Sequence, residues 1–314
     1  MRVLRSRNIK AWGIDRREGP WTDHVGSVTD GPFIHEALHG ADTVVHCATL
    51  HKPHILQHTK QDFVDVNVTG TLKVLEACVK QGVRTLIFTS TTSVFGHAVP
   101  RSEEKLREAA GPVWISEDVE PVPRNIYGAT KLSAEHLCAL FHRESGLNVV
   151  ILRTSRFFLE EDDDETVAAQ YPPLNLRVNE LLYRRADIAD MVEAHILAID
   201  AAPRLGLATF IISAPPPFSL DDCAELKTDV SAVVARYTGP AFAQAFSKHG
   251  LKMFPVLDRI YDSRKAVLEL GWKPQWTFSS AVKGLAEAPE GTDPKQLEML
   301  ITSKLAVAVG CKAY

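Results

Sequence analysis

The sequence predicts an α/β fold, in which helices cover both faces of a doubly wound, mostly parallel sheet and a small lobe follows toward the C-terminus. Short apolar runs rich in β-branched residues alternate with amphipathic stretches of helical period over roughly the first two thirds of the chain. This alternation is typical of parallel sheets with crossover helices. A chain of 314 residues, 45% hydrophobic and 24% charged, is long enough to bury one large core with an attached lobe.

Each element is predicted from its own pattern. Strands are predicted where apolar residues form short runs, at KAWGID (10–15), DTVVHCA (42–48), VRTLIFTS (83–90), LNVVILRT (147–154) and ATFIIS (208–213). Helices are predicted at helical spacings of apolar residues, at 32–40, 62–82, 126–146 and 187–199, the second and third ending at a glycine. We divide the chain into a core at 1–155, a mixed region at 156–288 that completes the sheet and forms the small lobe, and a tail at 289–314.

Composition excludes several classes of protein. A net charge of -4 and a pI near 6.3 give no basic footprint for nucleic acid or for an anionic membrane. No apolar stretch is long enough to span a bilayer, and no apolar region follows the arginines of MRVLRSR as in a signal peptide. The five cysteines are odd in number and form no C-x-x-C pair, which indicates reduced thiols in a cytoplasm.

Tyr127 and Lys131 are the first candidates for chemistry. They lie four residues apart in a predicted helix, so their side chains share one face. A free tyrosine has a pKa of about 10, too high for a base near neutral pH. A neighbouring ammonium favours the phenolate and lowers that pKa, so the pair can exchange a proton with a substrate hydroxyl. The spacing alone is common in proteins, and a surface tyrosine beside a solvated lysine is its alternative explanation.

Further motifs occur in a fixed order around this pair. They are HCAT (46–49), NVTGT (67–71), STTSVFG (90–96), YGATK (127–131), ILRTSRFF (151–158) and SRKAVLELGWKP (263–274). Together they resemble the motifs of the extended short-chain dehydrogenase/reductase family, the NAD-dependent sugar epimerases and dehydratases. The resemblance runs from about Gly13 to about residue 286. It implies a Rossmann-type fold and an enzyme that transfers hydride to or from a hydroxyl or carbonyl carbon, with nucleotide sugars among its candidate substrates.

The resemblance also implies a role for individual residues. Tyr127 is then the catalytic base, Lys131 lowers its pKa and holds the nicotinamide ribose, and Thr91 supplies a second catalytic hydroxyl. Asp15 would bond the adenosine ribose, which favours NAD over NADP, although Arg16 and Arg17 can soften that preference. The remaining residues of the implied cofactor groove are Ser27, Val28, Cys47, Ala48, Thr49 and Asn67, with Ser27 standing where the family usually has an aspartate.

Substrate residues depart from the family pattern. Thr92 and Ser93 stand where the dehydratases of the family carry Asp-Glu, which argues against 4,6-dehydration. Arg156 stands where a substrate asparagine is usual, and Arg184 and Arg185 lie near a position at which epimerases have one arginine. These departures leave epimerase and simple reductase open. The remaining alternative is a non-catalytic binding or scaffold relative that has lost its cofactor.

The opening residues raise a separate expectation. The family's glycine-rich phosphate loop between its first strand and first helix has no counterpart here, and counting back from Asp15 places MRVLRS at the end of that first helix. We therefore expect MRVLRS to be helical. We also expect a truncated gene start to explain the missing loop.

Two further features complete the sequence-based predictions. His46, His51, His54 and His58 crowd one segment, which we interpret as a polar loop at the mouth of the active site rather than a metal site. The charged run LEEDDDE (159–165) is predicted to be a solvated loop. By the family resemblance, the helices at about 61–81 and 126–145 pair with those of a second copy in a homodimer.

Overall fold

The computed structural model describes residues 1–99, 111–157 and 170–305. The charged run at 159–165, Phe158 and Cys311 lie outside these ranges. Within them, no helix combines the length and the apolar character that crossing a bilayer requires.

The strands and α-helices of the described residues are numbered in chain order. The strands are β1 Ile14–Asp15, β2 His24–Val25, β3 Thr43–His46, β4 Thr85–Thr91, β5 Val113–Ile115, β6 Asn148–Thr154, β7 Leu207–Ile212 and β8 Arg259–Tyr261. The helices are α1 Arg2–Ser6, α2 Gly31–Ala37, α3 Lys60–Phe63, α4 Gly70–Gln81, α5 Ile126–Ser145, α6 Pro173–Glu180, α7 Ile188–Leu205, α8 Cys223–Leu226, α9 Val230–Thr238, α10 Pro240–Lys248, α11 Arg264–Glu269, α12 Phe278–Glu287 and α13 Pro294–Ile301. Short 3₁₀ segments occur at Lys52–Leu56, Thr92–Phe95 and Leu220–Asp222, and Val64–Thr69 is π-helical.

The described strands form three small sheets. The largest has the order β3-β4-β6-β7, and β3 lies parallel to β4 with Val44 opposite Leu86. Strands β1 and β2 form a separate parallel pair, as do β5 and β8. The mixed arrangement of helices and parallel strands confirms the predicted α/β class.

The N-terminal segment is helical, as predicted. Arg2–Ser6 forms α1, so MRVLRS is not a strand despite its apolar residues. The run KAWGID is extended as a strand only at Ile14–Asp15, because β2 offers just two partner residues. Its Trp12 instead donates its indole N–H to the carbonyl of Ala37, at the end of α2.

The described residues group into two compact units, each made of several chain segments. The first contains Met1–His97, Glu120–Arg153 and His195–Phe210. The second contains the described parts of 98–119, 154–194 and 211–305. These boundaries interleave, whereas the divisions predicted from the sequence fall at 155 and 288.

The first unit has a core built on β3, β4 and β6. Val44, Leu86, Phe88 and Ile151 from these strands pack with buried side chains from the covering helices. Removing such side chains from water drives folding at about 1.5–3 kcal/mol for each large residue. The strands thereby hold their carboxyl ends, where polar residues follow, in fixed positions.

In the second unit, Asp190 on α7 holds the LGWKP motif (270–274) and the two residues after it by hydrogen bonds. The Asp190 carboxylate accepts the backbone N–H groups of Gln275 and Trp276, and the Trp272 indole donates to the Asp190 carbonyl. Burial raises the pKa of Asp190 to about 6 in spite of these bonds. Trp272 itself is completely buried, which explains why this segment carries a tryptophan.

Candidate active site

Tyr127 and Lys131 are placed by the start of α5. Asn125 caps this helix by accepting the backbone N–H of Gly128 at 2.9 Å. Tyr127 lies in the first turn and is half-buried, and Lys131, one turn later, is buried with 2% of its surface exposed. The cap therefore fixes both members of the predicted pair on a rigid element.

Gly128 allows α5 to approach the end of β4 closely. A Cβ at this position would lie 2.6 Å from the Ser93 carbonyl oxygen and 2.9 Å from the Pro123 Cβ, so no larger residue fits without movement. The Thr92–Phe95 turn, which directly follows Thr91, packs against the helix start at this point. The glycine after the tyrosine thus brings two of the predicted motifs together.

Thr91 ends β4 and its hydroxyl oxygen accepts the backbone N–H of Ser93 at 3.1 Å. This bond uses the oxygen as an acceptor, so the hydroxyl hydrogen can be donated to a ligand. Both Thr91 and Thr92 are buried, with 6% and 8% of their surfaces exposed.

Lys131 lies in an environment that disfavours its charged, protonated form. Its Nζ lies 3.9 Å from the ring centroid of Phe88, and burial lowers the pKa of its ammonium to about 8. Cys138, Cys47 and Glu135 act in the opposite direction. A buried ammonium this close to neutrality is poised to interact with a phenolate or a ribose hydroxyl.

The residues after β3 line an open edge of the first unit. Cys47 and Ala48 are exposed and Thr49 is half-buried. The Cys47 thiol lies 3.1 Å from the Thr89 hydroxyl, which lies 2.8 Å from the Nε2 of His195. These exposed groups follow the carboxyl end of a parallel strand, the usual position for ligands in such sheets.

Asn67 is buried and its amide is saturated by protein partners. Its oxygen accepts from the Thr49 hydroxyl and the Leu50 backbone, and its nitrogen donates to the Leu50 carbonyl and the Thr130 hydroxyl. The side chain of this predicted groove residue therefore fixes the positions of Thr49 and Leu50.

Asp15 is the last residue of β1, and Ser27 and Val28 follow β2. Asp15 is exposed and its carboxylate accepts the backbone N–H of Arg17 at 2.9 Å. The Ser27 hydroxyl pairs with that of Thr29 at 2.8 Å. A Cβ on Gly70 would lie 2.8 Å from a methyl carbon of Val28, so the glycine of NVTGT permits this contact.

These placements fit the two ribose ends of a dinucleotide. The exposed Asp15 carboxylate at the end of a strand suits a ribose diol, and the buried Lys131, one turn after Tyr127, suits the second ribose. Residues 1–14 contain no glycine-rich turn before β1, so the described residues match a dinucleotide at these two ribose ends and not at its pyrophosphate.

The predicted substrate arginines meet around one carboxylate in the second unit. Glu180 is buried, and its oxygens lie 2.6 Å from Arg185, 2.8 Å from Arg184 and 3.1 Å from Arg156. Burial alone would raise the pKa of Glu180, but the three guanidiniums outweigh it and lower the pKa to about 2. Sequence reasoning missed Glu180, although its spacing of four from Arg184 is a helical ion-pair signal.

His46 is a core residue. Its Nε2 lies 3.0 Å from the Thr71 hydroxyl, which donates to the Asn67 carbonyl and therefore accepts from the imidazole. Burial and the charge of Lys131 lower the pKa of His46 to about 3, so the ring is neutral. In the described parts of the chain, no three histidine, cysteine or acidic residues are grouped as a metal site requires.

Comparison with known proteins gives a family match. The sequence profile of the NAD dependent epimerase/dehydratase family matches residues 1–206. The UDP-glucose 4-epimerase of Corynebacterium glutamicum is 24% identical over 310 residues, covering 88% of this chain and 86% of that protein. The L-arabinose 1-dehydrogenase (NAD(P)(+)) of Haloferax volcanii is 31% identical over 167 residues, which is 50% of this chain and 64% of that protein.

Among solved structures, a short-chain dehydrogenase/reductase superfamily protein from Agrobacterium tumefaciens with bound NAD superposes with a TM-score of 0.63. It is 24% identical and the match covers 91% of both chains, which shows a shared fold. Two further curated relatives, 31% and 32% identical, are matched over only 28% and 33% of their lengths.

Proposed function

Since the chain belongs to the NAD-dependent epimerase/dehydratase family, we propose that it is an enzyme that transfers hydride between NAD and a carbinol or carbonyl carbon of a small substrate. NAD is the cofactor of the family and supplies the hydride acceptor and donor. The observation that carries the proposal is a buried lysine one turn after a half-buried tyrosine, on a helix whose Gly128 abuts the turn after Thr91.

Each of these residues has a separate role in the proposed mechanism. The Tyr127 phenolate takes the proton of the substrate hydroxyl as the carbon is oxidised, and the phenol returns it in reduction. The Lys131 ammonium favours the phenolate and donates to the nicotinamide ribose. Thr91 donates its hydroxyl hydrogen to the substrate oxygen, which holds that oxygen near the phenol.

The arginine cluster is proposed to recognise an anionic part of the substrate. Its four residues, Glu180 and the three arginines around it, carry three positive charges and one negative charge. Guanidinium groups pair well with phosphate oxygens. The excess of positive charge in the cluster favours binding of a nucleotide-sugar diphosphate over binding of a neutral sugar.

The proposal is tested by turnover with two compounds that the relatives' activities suggest. The purified chain is incubated with NAD and either UDP-glucose or L-arabinose, and products are separated by chromatography. We expect an epimer or an oxidised sugar from at least one of them, and no dehydrated product from dTDP-glucose, because Thr92 and Ser93 replace the acidic pair. Absence of both turnover and NAD binding would favour the non-catalytic alternative.

A homodimer through α4 and α5 is proposed as the assembly. Val79 on α4 and Leu140 on α5 are apolar and exposed at 43% and 37%, as expected of helices that meet a second copy. We expect the double variant Val79→Glu and Leu140→Glu to be monomeric by light scattering at micromolar concentration, and the unaltered chain to be dimeric. Leu268→Glu, at an 81% exposed apolar residue on α11, serves as the matched control and leaves the dimer intact. A monomeric unaltered chain would contradict the proposal.

A further inference from the structure

Glu135 lies on the same side of α5 as the proposed catalytic pair. It follows Lys131 by four residues and Tyr127 by eight, so the three side chains recur at helical spacing. Its side chain is only 4% exposed, and it takes no part in the mechanism proposed above. Burying a carboxylate costs free energy unless the group is paired and hydrogen-bonded, so its partners indicate what it does.

The Glu135 carboxylate holds the residue that precedes Thr91. The Ser90 hydroxyl donates to this carboxylate at 2.5 Å, and Ser90 is itself buried. Ser90 and Thr91 are consecutive residues at the end of β4. The bond therefore ties the backbone next to the Thr91 side chain to α5, the helix that carries Tyr127 and Lys131.

Arg153 extends the contact to the residues that follow Thr91. Its guanidinium donates to the same carboxylate, at 2.8 Å from Nη2 and 3.2 Å from Nε. The guanidinium carbon also lies 4.9 Å from the ring centroid of Phe95, the last residue of the Thr92–Phe95 turn. All of these residues belong to the first unit. The buried ion pair thus contacts both the strand before Thr91 and the turn after it.

This arrangement bears on the direction of the Thr91 hydroxyl. Its oxygen accepts the backbone N–H of Ser93 at 3.1 Å, a bond that joins the end of the strand to the turn. The bond keeps its geometry only while the strand and the turn keep their relative positions. The ion pair contacts both of them, and so it supports the orientation that leaves the hydroxyl hydrogen for a ligand.

We propose that Glu135 is a positioning residue, which acts through Ser90 and Arg153 to fix the Thr91 hydroxyl where it meets the substrate oxygen. The proposal rests on the proposed function, in which Thr91 donates to that oxygen. A misplacement of about 1 Å can lower a rate by about 10²-fold, so a rigid support next to the hydroxyl acts directly on turnover. An ion pair that only stabilised the fold would have no special effect on Thr91.

Amide hydrogen exchange tests the support without substrate or cofactor. Ser90→Ala removes one hydroxyl and leaves the pair of Glu135 with Arg153 in place, so no buried charge loses its partner. We expect this variant to speed exchange of the Ser93 amide about tenfold and to change that of Gly128 by about twofold at most. The Gly128 amide is the matched control, since it also donates to a side-chain oxygen, that of Asn125. Unchanged exchange at Ser93, or equal acceleration of both amides, overturns the proposal.

A double-mutant cycle with Thr91 tests the effect on catalysis. The assay uses NAD with UDP-glucose and with L-arabinose. We expect Ser90→Ala to lower kcat about tenfold, the worth of one misplaced hydrogen bond, and to leave the affinity for NAD within about twofold. In a Thr91→Val background, which lacks the hydroxyl to be positioned, the same change should lower kcat by about twofold at most.

Thr85→Val is the matched control for the cycle. Thr85 is a buried residue at the start of the same strand, and the change removes one hydroxyl at nearly constant volume. It should keep the full rate. If Ser90→Ala lowers kcat equally in both backgrounds, or in neither, the positioning role is overturned while the role of Thr91 stands. An unchanged rate in Thr91→Val instead overturns the proposed role of Thr91 and the positioning role with it.

Discussion

Replacing Tyr127 with phenylalanine is expected to lower turnover by about 10²–10⁴-fold while NAD still binds. The change removes one hydroxyl from a half-buried ring and leaves the ring's packing intact. General acid–base groups typically contribute a factor of this size, because the barrier rises when no positioned group takes the proton. An interaction made only in the transition state lowers kcat and kcat/KM together, so both parameters should fall in parallel.

The matched control is Tyr237→Phe. Tyr237 is 47% exposed on α9 and donates its hydroxyl hydrogen to Asp222 at 2.7 Å. Its loss should leave turnover unchanged, since α9 carries none of the residues proposed for the chemistry. Activity of Tyr127→Phe within a few-fold of the unaltered enzyme would remove Tyr127 from the role of base. Loss of NAD binding in the same variant would assign the tyrosine to the cofactor instead.

Glu135→Ala is expected to lower the free energy of unfolding by about 3–5 kcal/mol. Glu135 and Arg153 form an ion pair at 2.8 Å with only 4% and 9% of their side chains exposed, and the Ser90 hydroxyl donates to the same carboxylate at 2.5 Å. Removing the carboxylate leaves the Arg153 guanidinium buried without its anion. The contact of Arg153 with the Phe95 ring is too weak to offset that cost.

Urea denaturation measures this effect, with Asp42→Ala as the matched control. Asp42 pairs with Arg84 at 3.0 Å, but both side chains are more than three-quarters exposed. An exposed pair of this kind contributes about 0–1 kcal/mol, because water and salt screen it. Equal losses in the two variants would show that the buried pair gains nothing from its surroundings.

Local sequence signals predicted the long helices and the buried strands well. Helix α5 runs over Ile126–Ser145 against the predicted 126–146, because an asparagine cap at one end and a left-handed glycine at the other are both encoded locally. Strand β4 occupies Thr85–Thr91 against a predicted 83–90, because a continuous apolar run marks a strand buried on both faces.

The structure departs from the sequence-based predictions where contacts with residues distant in the chain determine the local conformation. The predicted helix at 62–82 contains a π-helical segment at Val64–Thr69, and Asn67 within it bonds to Thr130, 63 residues away in the chain. Strands β2, β5 and β8 have two or three residues each, too few for a periodic pattern to reveal.

The residues of the candidate site also differ in whether the sequence alone reveals them. The spacing of Tyr127 and Lys131 is visible in the sequence because one helix carries both. The placement of His51 against Tyr127, and of Glu180 among three arginines, depends on how separate segments fold together. Histidine spacing alone indicated a loop, and no local signal in it pointed to the phenol.

Isotope transfer tests the central claim most directly, namely that a hydride passes between a substrate carbon and NAD with Tyr127 as the base. UDP-glucose and L-arabinose, each deuterated at the carbon that reacts, are mixed with the enzyme and NAD, and the reaction is quenched within one turnover. The nicotinamide is then isolated and analysed by mass spectrometry. We expect one deuterium in the reduced nicotinamide from the unaltered chain and none from Tyr127→Phe. Oxidised sugar formed with unlabelled nicotinamide, an epimer that has lost its deuterium to solvent, or equal labelling in both proteins would contradict the account.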